Sequence, residues 1–237
     1  MKSEQFTHTI KLRAEHVNYN RSLKLSSLLL FSQEMCIHHT ELLGMGRKKT
    51  LDKGLLWIIN KQVFEINRMP KYDEEITLVT YPGIMLHFFF PRHFKILDSQ
   101  GKTIIKGATL WSLMNAKSRK IIDPLSHGVK VDGKEDGSEL PVMFLTKAPL
   151  LTKKQILKAD FHNCDLNVHL TNSAYVDFVE SLMDTNYLLT HEVCKMEFSF
   201  NKEIKLGEEV KVDYGNKDDD YYFTSADFFI HLKYKNK

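Results

Sequence analysis

The chain has 237 residues, 43% of them hydrophobic and 27% charged, with a formal charge of +3 at neutral pH. This is the make-up of a globular protein long enough to bury a real core. So small a charge gives no support to nucleic-acid binding, although local basic patches could still meet an acidic partner. Three cysteines, Cys36, Cys164 and Cys194, lack metal-ligand spacing and are too few for a disulfide framework, which fits a reducing compartment. Apolar runs such as "LLLF" fall far short of the ~20 residues a membrane span needs. The N-terminus has neither a signal-peptide core nor transit-peptide bias. A soluble, cytoplasmic protein is expected.

Along the chain, "MKSEQFTHTIKLRAEHV" enters a strand-like alternation. Residues 23–44 carry apolar side chains at helical spacing, with Gly44 as a stop. Residues 54–67, 74–82 and 87–123 are strand-rich, and "DSQGK" and "NAKSRK" are hairpin breaks. Residues 132–150, rich in Asp, Gly, Glu and Pro, read as a connector. The order then repeats: a strand-like approach over 155–169, a helix from about 172 to 189, and strands over 193–237. An offset of 147 lays Asn20 on Asn167, Leu23 on Leu170, Ser26 on Ser173, Phe31 on Phe178 and Gln33 on Glu180. In the following strands an offset of 134 lays "YDEEITLV" on "LGEEVKVD". The order of elements, more than the thin identity, argues for one unit present twice.

Candidate chemistry gathers in "DLNVHLTNSAY", where Asp165, Asn167 and His169 stand at alternate positions. In an extended segment such side chains share a face. Thr171 or Asn172 would then cap the following helix, whose free N–H groups suit a developing oxyanion. The plainer alternative is a polar turn with a surface histidine. Under the overlay the first copy offers Asn18, Asn20 and Ser22 in those places, and Met69 under Glu203. One copy is polar and the other blunted, which points to chemistry in the second and binding in the first. Cys164 adjoins the triplet, but in an extended strand it would face away from Asp165. A metal set of His162, Cys164, Asp165 and His169 matches no known ligand spacing. His38 and His39 cannot point the same way on a helix and read as a surface and a boundary residue. There is no phosphate-binding loop, nucleophile elbow or dinucleotide fingerprint.

"DLNVHLTNSAYVDFVES" resembles the D-x-N-x-H…N-x-x-Y…E-S segment of the acyl-acyl carrier protein thioesterases. "WIINKQVFEINRMPKYDEEITLVTYP", "RHFKILDSQGKTIIKGATLWSLMNAKSRK" and "FNKEIKLGEEV" resemble further segments of that family in the same order. The resemblance implies an α+β fold of two tandem hotdog units, each a long helix wrapped by an antiparallel sheet. These would be an acyl-binding N-terminal unit at 1–135, a linker at 136–150 and a catalytic unit at 151–237. It implies hydrolysis of fatty acyl-carrier-protein thioesters, ending chain elongation, with Asp165, Asn167, His169 and Glu203 as the catalytic set. No metal or other cofactor is expected, since the substrate carries its own phosphopantetheine. The acyl carrier protein would be the partner, met by Lys153, Lys154 and Lys158 or by Arg47, Lys48 and Lys49; a homodimer is compatible. Leu28, Leu29, Phe31 and Met35 are candidates for the acyl slot, with plain core as the alternative. Ile204 stands where plant members carry a cysteine, and Tyr81 where the family has tryptophan, a change expected to alter the acyl pocket. An acyl-CoA thioesterase and a non-catalytic acyl-thioester binder are the alternative functions.

Overall fold

A computed structural model describes residues 4–135, 137–142 and 145–237. The first repeat comprises β1 (Phe6–Lys11), α1 (Leu25–Leu42), β2 (Leu55–Ile66), β3 (Glu75–Pro82), β4 (Phe89–Leu97) and β5 (Thr103–Asn115). The second comprises β6 (Lys153–Lys158), α2 (Asn172–Ser181), α3 (Thr185–Thr190), β7 (His191–Phe200), β8 (Glu209–Lys217), β9 (Asp220–Thr224) and β10 (Phe228–Asn236). The two expected sheets are joined into one antiparallel sheet in the order β1-β3-β4-β5-β2-β7-β10-β9-β8-β6. The second five strands are the mates of the first five, read in reverse.

The seam is the β2–β7 pair, centred on Val63 opposite Glu197. These two residues lie at the 134 offset, so a local two-fold passes between them. Smaller features repeat at the same offsets. A 3-10 turn spans Ala14–His16 in one copy and Phe161–Asn163 in the other. Isolated bridges join Val17 to Leu23 and Cys164 to Leu170, and Ser22 to Lys71 and His169 to Lys205.

One face of the sheet carries the helices. On α1 the buried positions Leu25, Leu28, Leu29, Ser32, Met35, Cys36, His39 and Thr40 recur every three or four residues and form one stripe. Leu25, Leu28, Leu29 and Met35 of that stripe belong to the main core, which also holds Phe64, Phe94, Phe198 and Phe228. Past Leu42 the chain turns at Gly44, whose φ of 77° suits glycine. The expected helix over 172–189 is two helices. Thr171 caps α2 by accepting from the Ala174 N–H, and Asp184 starts α3 by accepting from the Tyr187 N–H. An internal cap of this kind competes with helix continuation, so the apolar spacing alone overran it.

On the opposite face, Val142 of the connector packs on Val63, Ala108 and Leu110. Beside it the second repeat is polar. His231 donates to Glu197 (2.7 Å) and to Asp220 (2.6 Å), and the connector's Thr146 N–H donates to Glu197. Burial pushes the Glu197 carboxyl up, but hydrogen bonds from His231, Thr146 and Lys195 outweigh it and hold the group at about 2.

Candidate active site

The 165–169 stretch is a tight loop rather than an extended strand. Asp165 N–H donates to His169 O, Val168 N–H donates back to Asp165 O, and Val168 is left-handed with φ 66°. A β-branched residue there is strained. The Asp165 carboxylate holds the turn closed by accepting from Asn167 N (2.8 Å), His169 N (3.3 Å) and Asn167 Nδ2 (3.2 Å). The first copy builds the same loop with a different residue: Asn18 Oδ1 accepts from Asn20 N and Ser22 N, and Arg21 has φ 58°. Asp165 and Asn167 are exposed and His169 is half-buried. The stretch is the polar turn of the plainer reading, but its histidine is not a surface residue, and the expected extended backbone is replaced by the turn.

His169 then bridges to Lys205, and Leu170 N–H donates to Ile204 O. This pairing sets the loop against the 203–205 segment and brings Glu203 to the imidazole, with Oε2 3.4 Å from His169 Nε2. Asp165, Asn167, His169 and Glu203 all line one cavity of about 400 Å³, together with Gln33, Asn60, Asn172 and Tyr175. Asn172 Nδ2 donates to Gln33 Oε1 across the helix pair. Asn60 reaches the cavity from a register shift in β2, between Ile59 and Lys61.

Sequence reasoning missed Arg119. It sits in the "NAKSRK" hairpin after β5, and its Nη2 lies 2.6 Å from Glu203 Oε2 and 2.5 Å from His169 Nε2. The signal that could have found it was the end of the β5 resemblance stretch, which closes on "SRK". A guanidinium only donates, so His169 Nε2 presents its lone pair to it. Cys164 is unsuited as a nucleophile. Burial raises its thiol pKa, and the negative charges of Asp165 and Asp160 raise it further. Among the described residues no three His, Cys, Asp or Glu side chains are placed to hold a metal ion.

A second, more apolar cavity of about 250 Å³ adjoins the first, and the two share Ile37, Leu56, Trp57, Trp111 and Asn167. Both tryptophans are anchored through their indole N–H: Trp57 to Met45 O and Trp111 to Thr109 Oγ1. The expected slot residues need correcting. Leu28, Leu29 and Met35 are buried in the main core with Phe31 packed against it, and none of the four lines either cavity. The apolar cavity opens further along α1, at Cys36, Ile37, Thr40 and Glu41, and is also lined by Gly46, Arg47, Thr50 and Leu51. These eight residues lie where the offset between repeats falls from 147 to 134. The first repeat carries thirteen more residues there than the second. Tyr81 lines neither cavity; its hydroxyl donates to Glu139. His38 is exposed as expected, but His39 is fully buried, with its Nδ1 3.0 Å from Arg92 Nη1.

Residues 3–126 match the family described as acyl-ACP thioesterase N-terminal domain, and residues 150–229 match the acyl-ACP thioesterase C-terminal domain. The chain belongs to the acyl-ACP thioesterase family. Among its relatives is a chloroplastic acyl-[acyl-carrier-protein] hydrolase of Cuphea viscosissima. It is 22% identical over 222 residues, covering 84% of this chain and 52% of the relative. A chloroplastic palmitoyl-acyl carrier protein thioesterase of Cuphea hookeriana is 22% identical over 215 residues, covering 84% and 51%. The chain thus spans about half the length of the curated relatives it matches. An acyl-ACP thioesterase from Bacteroides thetaiotaomicron shares the fold, with a TM-score of 0.81 at 17% identity over 98% of each chain. The 12:0-ACP thioesterase from Umbellularia californica also has a TM-score of 0.81, at 15% identity over 99% and 98%. Among the described residues no helix is long and apolar enough to cross a membrane.

Proposed function

We propose that this chain hydrolyses the thioester of fatty acyl-acyl carrier protein, releasing a free fatty acid and the carrier's phosphopantetheine thiol and so ending chain elongation. The observation that carries the reading is the junction of the two cavities. A polar site holding His169 and Glu203 opens directly into an apolar slot, with Asn167 lining both. A fatty tail in the slot would leave its carbonyl beside Asn167, His169 and Glu203.

In the reaction, water attacks the carbonyl carbon and gives its proton to the Glu203 carboxylate, within 3.4 Å of His169 Nε2. The tetrahedral oxyanion is met by the Asn167 amide. The C–S bond then breaks with its electron pair on sulfur, and the proton passes through His169 to the thiolate. Asp165 is assigned to shaping the loop, because its carboxylate is already taken up by three N–H groups. No metal or cofactor enters the reaction. The first repeat is the acyl-binding unit, about 1–135, and the unit from about 151 carries the reacting groups.

For the acidic carrier protein, Arg47, Lys48 and Lys49 fit better than the β6 lysines. Arg47 lines the slot while pairing with Asp52 (3.0 Å), whereas Lys154 and Lys158 lie on the edge strand β6, away from both cavities, and pair with Asp213 and Asp160. The site of action is proposed to be cytoplasmic. The deciding experiment compares carrier-protein and CoA thioesters of one chain length with purified protein, alongside the free-fatty-acid profile of a bacterium expressing it. Faster turnover of the CoA ester would transfer the assignment to an acyl-CoA thioesterase. No turnover of either would leave an acyl-thioester binder.

A further inference from the structure

We infer that Arg119 is a positioning residue of this site, lent by the first repeat to hold Glu203 and His169 of the second in one working arrangement. The inference rests on the thioesterase reading above. A single Nη2 reaches both groups, at 2.6 Å to the carboxylate and 2.5 Å to the imidazole, while those two stand 3.4 Å apart. The three atoms form a triangle with the guanidinium at its apex. Because the guanidinium can only donate, it fixes which side of His169 carries the lone pair and which oxygen of Glu203 faces it. A carboxylate on a two-methylene stem would otherwise swing freely in a cavity this open.

The backbone under Arg119 is a second, independent observation. Asn115 Oδ1 accepts from Lys117 N (3.1 Å) and Ser118 N (2.8 Å), and Arg119 N–H donates to Asn115 O (2.9 Å). That closes a short hairpin whose last loop residue, Arg119, has φ 54°. This is a position where glycine or asparagine sits at ease and arginine is strained. The strain is explained if the side chain, not the turn, is what the position requires. The side chain is 30% exposed and Glu203 is 25% exposed, so the pair is more shielded than a surface ion pair. Arg119 is also the ionised group that ties the repeats together at the reaction centre, since the β5 hairpin and the 203–205 segment belong to different repeats.

The test is steady-state kinetics of the full chain with an acyl-carrier-protein substrate, for wild type, R119A, R119K and E203Q, with and without a few millimolar guanidinium ion. R119A should lose roughly 100-fold in kcat, the scale of a lost preorganised donor, with KM changed less than about threefold. R119K should recover only part, because an ammonium is a point donor without the planar fork. Guanidinium in solution should raise R119A turnover at least about tenfold and leave E203Q unchanged. A merely structural role would show no such rescue. An R119A kcat within about threefold of wild type would overturn the inference, as would a loss that neither R119K nor guanidinium relieves. If wild type hydrolyses no acyl thioester, the functional reading fails with it; an active R119A beside an active wild type sinks only this inference.

Discussion

The loop at 165–169 and the loop at 18–22 have the same backbone and opposite prospects. Both close through an Asx carboxyl or amide accepting from the N–H groups two and four residues on, and both place a strained left-handed residue before the last position. One ends on His169 facing Glu203, the other on Ser22, whose hydroxyl accepts from Lys71 Nζ, with Met69 in the glutamate's place. The comparison separates what the fold requires from what the chemistry requires. The Asx residue at the loop's start is common to both copies and so belongs to the turn. The imidazole and the carboxylate occur in one copy, so the fold does not require them, and on the proposed function they serve the reaction. The apolar slot is just as unequal, since eight of its lining residues, from Cys36 to Leu51, come from the part of the first repeat that is longer than its counterpart.

The largest expected effect comes from removing the unequal groups. Glu203→Gln and His169→Ala should each lower kcat by roughly 10²- to 10⁴-fold, the range for a lost general acid or base. Ser22→Ala should leave it within about twofold; equal losses in both loops, measured on one substrate, would erase the distinction.

The outer faces offer a second contrast. Where the first repeat places Val63 beside Ala108, the second places Glu197 beside His231. His231→Ala leaves Glu197 buried without its principal donor and should cost about 3–5 kcal/mol of stability. Ala108→Ser, its mate, should cost much less in the same urea titration. The Glu197 carboxyl lies near 2 when folded against an ordinary 4.5. Its contribution is therefore present above about pH 4.5 and is lost as pH falls toward 2; acid denaturation of wild type and Glu197→Gln should converge over that window.

A smaller effect should come from the helix mates Gln33 and Glu180. Gln33 lines the polar cavity, whereas burial, aided by Asp177, pushes the Glu180 carboxyl up to about 7. A raised acid binds its proton more tightly when folded. Its stabilising share is present below about 4.5 and is lost as pH rises through 7. Glu180→Gln should then add about 3 kcal/mol at pH 8 and almost nothing at pH 4.5. Thermal melts at the two pH values check this. The smallest is Cys36→Phe, which narrows the slot and should shorten the released acids by a few carbons at a cost of about 1–3 kcal/mol in stability.

Much of this was legible before any coordinates. The strand and helix order, Gly44 as a stop, Thr171 as a cap and the offsets of 147 and 134 all lie in local patterning, which sequence records directly. The gathering of His169 and Glu203 followed from the resemblance combined with the overlay. What could not be read depends on three-dimensional closure. The stripe on α1 is continuous from Leu25 to Thr40, and nothing in its spacing shows that Leu28 and Leu29 face packed phenylalanines while Cys36 and Thr40 face a hollow. The turn at 165–169 was hidden because alternate polar residues fit both a strand and an Asx loop. Arg119 was hidden because it meets Glu203 across 84 residues of chain.

The seam between β2 and β7 has a consequence for how a chain with the proposed activity would change over generations. The fatty tail would be measured by one copy of an old unit and the reactive head by the other, with a rigid ladder of backbone between them. Mutations that retune length preference can accumulate around the slot without disturbing bond cleavage. On the proposed function, products would diversify while the chemistry stood still.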